Sequence, residues 1–223
     1  VRTIPFPSRS SMRSAKESGS ASSTCRTALI DLAPLAEDRG SPLPLGYLLA
    51  YASQELGSRV NGRIFQYRLG AHPGAMRAIL RDIEAFAPHV VGFSCYCWNI
   101  EAVVTLARAM KRRWPGVRVV LGGPEAQPSR ILLLERGIVD ALVLGEGDET
   151  FAELLRRCLD GQGWAGTPGT IAVEVGRGAP QRPASADLGS AYDARGECLG
   201  VRRVVRGPQR EFIEPLDRIP SPW

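Results

Sequence analysis

In Gly92-Phe93-Ser94-Cys95-Tyr96-Cys97-Trp98-Asn99 two cysteines flank a tyrosine, and a tryptophan and an asparagine follow at once. That spacing admits three chemistries. Paired thiolates can hold a metal, two thiols can cycle through a disulfide, and aromatic and small residues together can wall a pocket for a large flat ligand. Two more stretches let main chain come close to a ligand: Gly122-Gly123-Pro124-Glu125-Ala126 and Gly145-Glu146-Gly147-Asp148-Glu149-Thr150. Glycine lacks the side chain that would hold a ligand off. Each stretch also has a plainer reading, a tight turn for the glycine pair and a helix N-cap for Asp148.

These stretches fall at regular places in an alternating pattern. Apolar runs at 27–33, 59–69, 89–95, 117–123 and 139–147 read as strands. Segments with apolar residues at helical spacing follow each of them, at 44–56, 73–86, 100–114, 128–137 and 148–159. Continuous apolar strands joined by helices imply a parallel sheet covered on both faces. The pattern predicts an α/β, doubly wound, flavodoxin-like five-stranded parallel sheet in the order 2-1-3-4-5, with a short C-terminal extension. Such sheets bind ligands at the carboxyl ends of their strands, where the order reverses. The loops after strands one, three, four and five then share one rim.

The rest of the chain bounds the possibilities. It has 223 residues, 44% of them hydrophobic, enough for one core. Residues 1–26 are rich in Ser, with Pro and Arg, and read as a disordered tail; a transit peptide and a mis-assigned start before Met12 share that composition. Residues 27–162 form the expected domain. Residues 163–223, rich in Gly, Pro and Arg, read as an extension towards something else. The net charge is +5, but three of those charges sit in the first 24 residues, and no basic face with interleaved aromatics argues for nucleic acid. No apolar run is long enough for a membrane helix. Five scattered cysteines do not make a disulfide framework and fit a reducing cytoplasm.

The run from Val90 to Asn99, the Gly122–Ala126 loop, the Gly145–Thr150 loop and Leu216-Asp217-Arg218-Ile219-Pro220-Ser221-Pro222 come in order at the right strand ends. Together they resemble the N-terminal cobalamin-binding domain of cobalamin-dependent radical SAM enzymes, over about residues 27–223. Three marks define the wider cobalamin-binding fold. Ser94-Cys95-Tyr96 is similar to its Ser-x-Leu, and Gly122-Gly123 to its Gly-Gly. The remaining mark, Asp-x-His-x-x-Gly, is broken: with Gly46 as its glycine, Ser41 stands in the Asp place and Leu43 in the His place.

The resemblance implies cobalamin held with its nucleotide base off cobalt and no protein histidine beneath it. Ser94 would face the nucleotide tail, while Tyr96, Trp98 and Asn99 would shape the lower face of the corrin. Leu43, Gly46, Gly122, Gly123, Pro124, Gly145, Glu146, Gly147 and Thr150 complete the implied set. Leucine at position 123 is expected to fill the path of the tail and leave the fold intact. Neither histidine suits cobalt well, His89 opening strand three at the wrong end and His72 preceding a helix near an edge. Cys95 and Cys97 are expected to pack, although at most one can face the crevice, where a thiolate could reach cobalt.

The Cys-x-x-x-Cys-x-x-Cys that holds a [4Fe–4S] cluster in radical SAM enzymes does not occur in the sequence. The cluster and S-adenosylmethionine are therefore expected in a partner domain, in cis or in trans. The chain is then a fragment, part of a split or frameshifted gene, or a stand-alone carrier. The implied activity is methyl transfer or related radical chemistry, and this chain alone is expected to bind without turning over. A cobalamin carrier or sensor without catalysis is the alternative, and a flavin or nucleotide module is a third reading.

Overall fold

Strands that are apolar on both faces need helices on both sides, and these strands have them. The computed structural model describes residues 2–5, 24–34, 42–69, 74–174 and 202–222. In chain order the elements are β1 (Arg2–Pro5), β2 (Cys25–Ala33), α1 (Leu43–Leu56), β3 (Val60–Arg68), α2 (Ala75–Phe86), β4 (Val90–Ser94) and α3 (Ile100–Arg113). Then come β5 (Arg118–Gly122), α4 (Ile131–Glu135), β6 (Ala141–Val143), α5 (Asp148–Leu159), β7 (Thr170–Val173) and β8 (Val204–Arg206).

The eight strands among the described residues form one sheet in the order β1-β3-β2-β4-β5-β6-β7-β8. The inner strands β3, β2, β4, β5 and β6 run parallel. β1 pairs antiparallel with β3, β7 with β6, and β8 with β7. This corrects the five-stranded, purely parallel sheet expected from the sequence: one antiparallel strand is added beside β3 and two beyond β6. The apolar run at 170–175 reads as a strand in the sequence, and β7 lies within it, but its antiparallel pairing with β6 is long-range and leaves no local pattern. β1 and β8 are only four and three residues long, too short to show a period of their own.

Two expected boundaries shift with the sheet. β1 lies inside the stretch read as a disordered tail, and β2 begins at Cys25. Beyond residue 162, Trp164, Ile171, Ala172 and Val173 are buried, so the segment read as an extension contributes to the core. Residues 6–23, 35–41, 70–73 and 175–201 lie outside the described residues, and with them Ser41, His72 and Cys198.

One face of the sheet is covered by α2, α3 and α4, with Ile30, Phe65, Phe93, Val119 and Leu121 packed against Ile83, Leu106, Met110 and Leu134. On the other face α1 and α5 lie side by side over Leu29, Ile64, Val90 and Val120. Asp148 and Glu149 open α5 while Arg156 and Arg157 close it, which suits the helix dipole at both ends. On the α3 side, buried Lys111 donates to the Val117 carbonyl at 2.7 Å and pairs with Asp140. Asp140 in turn accepts from the Val119 N–H at 2.7 Å. Among the described residues no helix is long and apolar enough to cross a membrane.

Candidate functional site

β2 lies between β3 and β4, so the chain leaves β2 to one side and later returns to the other. A crevice opens there at the carboxyl ends of the strands. Alternation along β4 puts Gly92 and Ser94 on the α1/α5 face and Phe93 on the opposite one; along β5 it groups Val120 with Gly122 in the same way. Small residues at Gly92, Ser94 and Gly122 leave this end of the face thinly covered. A cavity of about 590 Å³ fills the space, lined among others by Leu29, Leu45, Leu48, Val120, Val143 and Phe151. The lining is mostly apolar, with Ser94, Tyr96, Tyr47 and Asp148 as its polar side chains.

The glycines of this site have different jobs. A Cβ on Gly122 would meet nothing within 4 Å, so the bare main chain opens space. A Cβ on Gly123 would sit 2.9 Å from the Cys95 carbonyl oxygen, and its φ of +91° favours glycine. Gly123 lets the loop after β5 press on the end of β4, where the Cys95 N–H donates to the Gly122 carbonyl at 2.8 Å and the Glu125 N–H to the Cys95 carbonyl at 3.1 Å. Leucine at 123 would disturb this loop itself. Position 122 is where a side chain fills the cavity.

The loop after β4 is held from within. Asn99 is fully buried. Its Oδ1 accepts from the Tyr96 N–H at 2.9 Å, and its Nδ2 donates to the carbonyls of Ser94 at 2.9 Å and Leu32 at 3.4 Å. It thereby ties this loop to the end of β2. Tyr96 lines the cavity, and its ring stacks on Trp98 with centroids 4.5 Å apart and planes 5° from parallel. Trp98 is 51% exposed. The result is a flat aromatic surface beside the cavity.

The thiols do not form a pair here. Cys95 is buried in the core on the α2/α3 face, and burial pushes its thiol up to about 12, with Arg130 opposing. Cys97 is exposed. His89 lies at the amino end of β4, where its Nδ1 accepts from the Arg26 N–H at 3.2 Å. At the cavity, burial holds the Asp148 carboxyl above the usual range, against a bond from its own N–H and with Glu146 and Glu149 nearby adding to the effect. Its Oδ1 has no hydrogen-bond partner among the described residues.

Seven of the thirteen residues singled out from the sequence line the cavity: Leu43, Ser94, Tyr96, Gly122, Gly123, Gly145 and Gly147. The other six sit around it. Trp98 backs Tyr96, and Asn99 braces the loop. Pro124 is exposed, its carbonyl accepting from Gln127 at 2.7 Å. The hydroxyl of buried Thr150 donates to the Pro168 carbonyl at 3.4 Å. The Glu146 carboxylate accepts from the Ile213 N–H at 3.0 Å. A Cβ on Gly46 would stand 2.9 Å from the Pro222 side chain, so this glycine admits the C-terminal segment.

Sequence reasoning missed Tyr47, Leu48, Val143, Phe151, Leu216 and Ile219 as lining residues. One signal was available for α1. Leu43-Pro44-Leu45-Gly46-Tyr47-Leu48-Leu49 is apolar on more than one side, more than burial against a sheet needs. Leu43 and Tyr47 are indeed 44% and 39% exposed.

A family model described as B12 binding domain matches residues 36–155. Over 149 residues, 64% of this chain, the sequence is 37% identical to 2-(S-pantetheinyl)-carbapenam-3-carboxylate methyltransferase of Streptantibioticus cattleyicolor, covering 21% of that protein. Over 93 residues, 41% of this chain, it is 39% identical to the cobalamin-dependent radical SAM methyltransferase TokK of Streptomyces tokunonensis, covering 13% of it. The chain thus spans a minor part of these curated relatives. Among solved structures, the fold is similar to that of the cobalamin-dependent S-adenosylmethionine radical enzyme OxsB, described with aqua-cobalamin and S-adenosylmethionine bound. The TM-score is 0.60 at 13% identity, over 89% of this chain and 24% of that one. With more than half of its length matched by the family model, the chain belongs to the B12-binding domain family.

Proposed function

We propose that the chain binds cobalamin with the nucleotide tail in the α1/α5 cavity and the corrin over the rim formed by Leu43, Tyr96 and Trp98. The observation that carries this reading is the space at Gly122: a mostly apolar cavity of about 590 Å³ at the carboxyl ends of β2, β4, β5 and β6, open because no side chain fills it. Its volume suits a nucleotide tail and is too small for the whole cofactor, so the ring stays outside. Apolar walls suit a flat heterocyclic base, while the hydroxyls of Ser94 and Tyr96 offer hydrogen bonds to the sugar or phosphate. Leu43 stands where the wider fold carries histidine. With the tail held in the cavity the base would be off cobalt, and Leu43 would offer no nitrogen in its place.

The chain serves a radical SAM enzyme whose catalytic domain, in cis or in trans, holds the [4Fe–4S] cluster and S-adenosylmethionine. The relatives' names support methyl transfer as the reaction. The cofactor, when bound, supplies a transferable methyl group, while this chain supplies position and exclusion of water. A reducing cytoplasm suits the free thiols of Cys25, Cys95, Cys97 and Cys158.

The test is to mix purified protein with hydroxocobalamin, separately with flavin mononucleotide, and to record the spectrum of the protein peak after gel filtration. Cobalamin is expected to travel with the protein at close to one equivalent. A protein peak carrying flavin and no cobalamin would overturn the reading.

A further inference from the structure

The family match ends at residue 155, yet Leu216 and Ile219 line the cavity. The segment that carries them is built onto the site at many points. It leaves β8 through Gly207, whose N–H donates to the Thr170 carbonyl at 2.9 Å, and the Pro208 carbonyl accepts from the Gly169 N–H at 2.8 Å. Arg210 then forks across two carboxylates of α5, Glu149 at 3.0 Å and Glu153 at 2.5 Å. The Ile213 side chain is buried at 3% exposure, and its N–H donates to Glu146. Arg218 adds a contact to Glu149 at 3.4 Å. Pro222 finally rests on Gly46 of α1. The segment thus crosses from α5 to α1 over the cavity.

We propose that residues 207–222 are a wall of the ligand site, latched to α5 by Arg210, and that this strap sets how fast a bound nucleotide tail leaves. The inference rests on the cobalamin reading above, and it assigns ligand retention to a segment outside the matched domain. Arg210 is the latch because it makes two charge-assisted bonds while only 20% exposed. Arg218 is 54% exposed, so solvent screens its contact and it contributes less. A tail held behind the strap has to wait for it to open. A corrin ring lying outside does not.

The experiment uses the full chain loaded with hydroxocobalamin or with aquocobinamide, which has the corrin but no nucleotide tail. Release is followed after dilution by separating free from bound cofactor. Arg210→Met is expected to speed cobalamin release about tenfold, since interface changes of this kind act mainly on dissociation, and to leave cobinamide release as in the wild type. Leu216→Ala, an exposed wall residue, is expected to act in the same direction with an unchanged melting temperature. Hydrogen exchange provides a reading that needs no variant: cobalamin is expected to slow exchange in 207–222, and cobinamide is not. Equal acceleration of both ligands, or exchange in the strap indifferent to cobalamin, overturns the strap while the cobalamin reading stands. Wild-type protein that retains no cobalamin overturns both.

Discussion

The same strands carry two unlike surfaces. Towards α2 and α3 the sheet presents Ile30, Phe93 and Leu121, all buried and filled to the strand ends. Towards α1 and α5 it presents Leu29, Gly92, Ser94, Val120 and Gly122, and the packing stops short. A one-residue step along β4 or β5 separates the two. On the shared strands the difference lies in side-chain size, with Gly92, Ser94 and Gly122 on the open face against Phe93 and Leu121 on the closed one. The closed face spends its apolar surface on stability. The open face leaves part of its surface for a ligand, and needs the strap of residues 207–222 to complete its wall. Damage to the closed face should therefore be read in folding, and damage to the open one in binding.

The largest expected effect lies on the α3 side. Lys111→Ala removes the buried cation of the pair with half-buried Asp140 and leaves that carboxylate, for a cation, only its 3.4 Å contact to Arg202. The expected cost is about 3 kcal/mol of stability, the low end for a broken buried pair because Arg202 still faces Asp140, measured by urea denaturation. A loss below about 1 kcal/mol, in the range of surface pairs, would show that the knot is dispensable.

On the open face, Gly122→Leu should keep its far-ultraviolet circular dichroism and melting temperature while cobalamin affinity falls at least about a hundredfold, or about 2.7 kcal/mol. Gly123→Leu should behave in the opposite order, losing stability first, because its Cβ meets the Cys95 main chain. If the two variants behave alike, the distinction between the two glycines is wrong.

Asn99→Ala tests the seam between the faces. It strips three hydrogen bonds from a fully buried site, with an expected cost of about 1–3 kcal/mol and a looser Tyr96–Trp98 loop. Retained stability in urea would assign the bracing of that loop to other residues.

The smallest effect concerns reactivity. A hydrogen bond from Cys25 draws the Cys158 thiol down to about 7, against burial and with help from Arg118. The thiol of Cys25 is correspondingly raised. Iodoacetamide labelling of Cys158, read by peptide mass spectrometry, should climb as pH passes about 7, while Cys95 stays unlabelled. A Cys158 that reacts only above pH 9 would contradict the pairing.

Much of this was legible in the sequence because it depends on local pattern. The inner strands and their helices follow from apolar runs and helical spacing, and α5 runs over Asp148–Leu159 as its composition requires. The glycine loops lie where the alternating pattern put them, along the cavity at the strand ends. What could not be read is what depends on distant partners. Gly46 looks like a motif residue, yet its nearest neighbour is Pro222. Glu146 looks like a ligand-facing acid, yet it holds the Ile213 N–H. Leu216 and Ile219 look like linker, yet they line the cavity. No periodicity links residues 46 and 222; only the folded chain brings them together.

The central claim is that a nucleotide tail enters the α1/α5 cavity and leaves cobalt without a nitrogen beneath it. Electron paramagnetic resonance of the protein with Co(II) cobalamin tests this most directly. The account predicts a base-off spectrum whose cobalt lines carry no nitrogen splitting, and the same spectrum with cobinamide. A clear single-nitrogen splitting from bound cobalamin would contradict it, because either the base would still be on cobalt or a histidine would have taken its place.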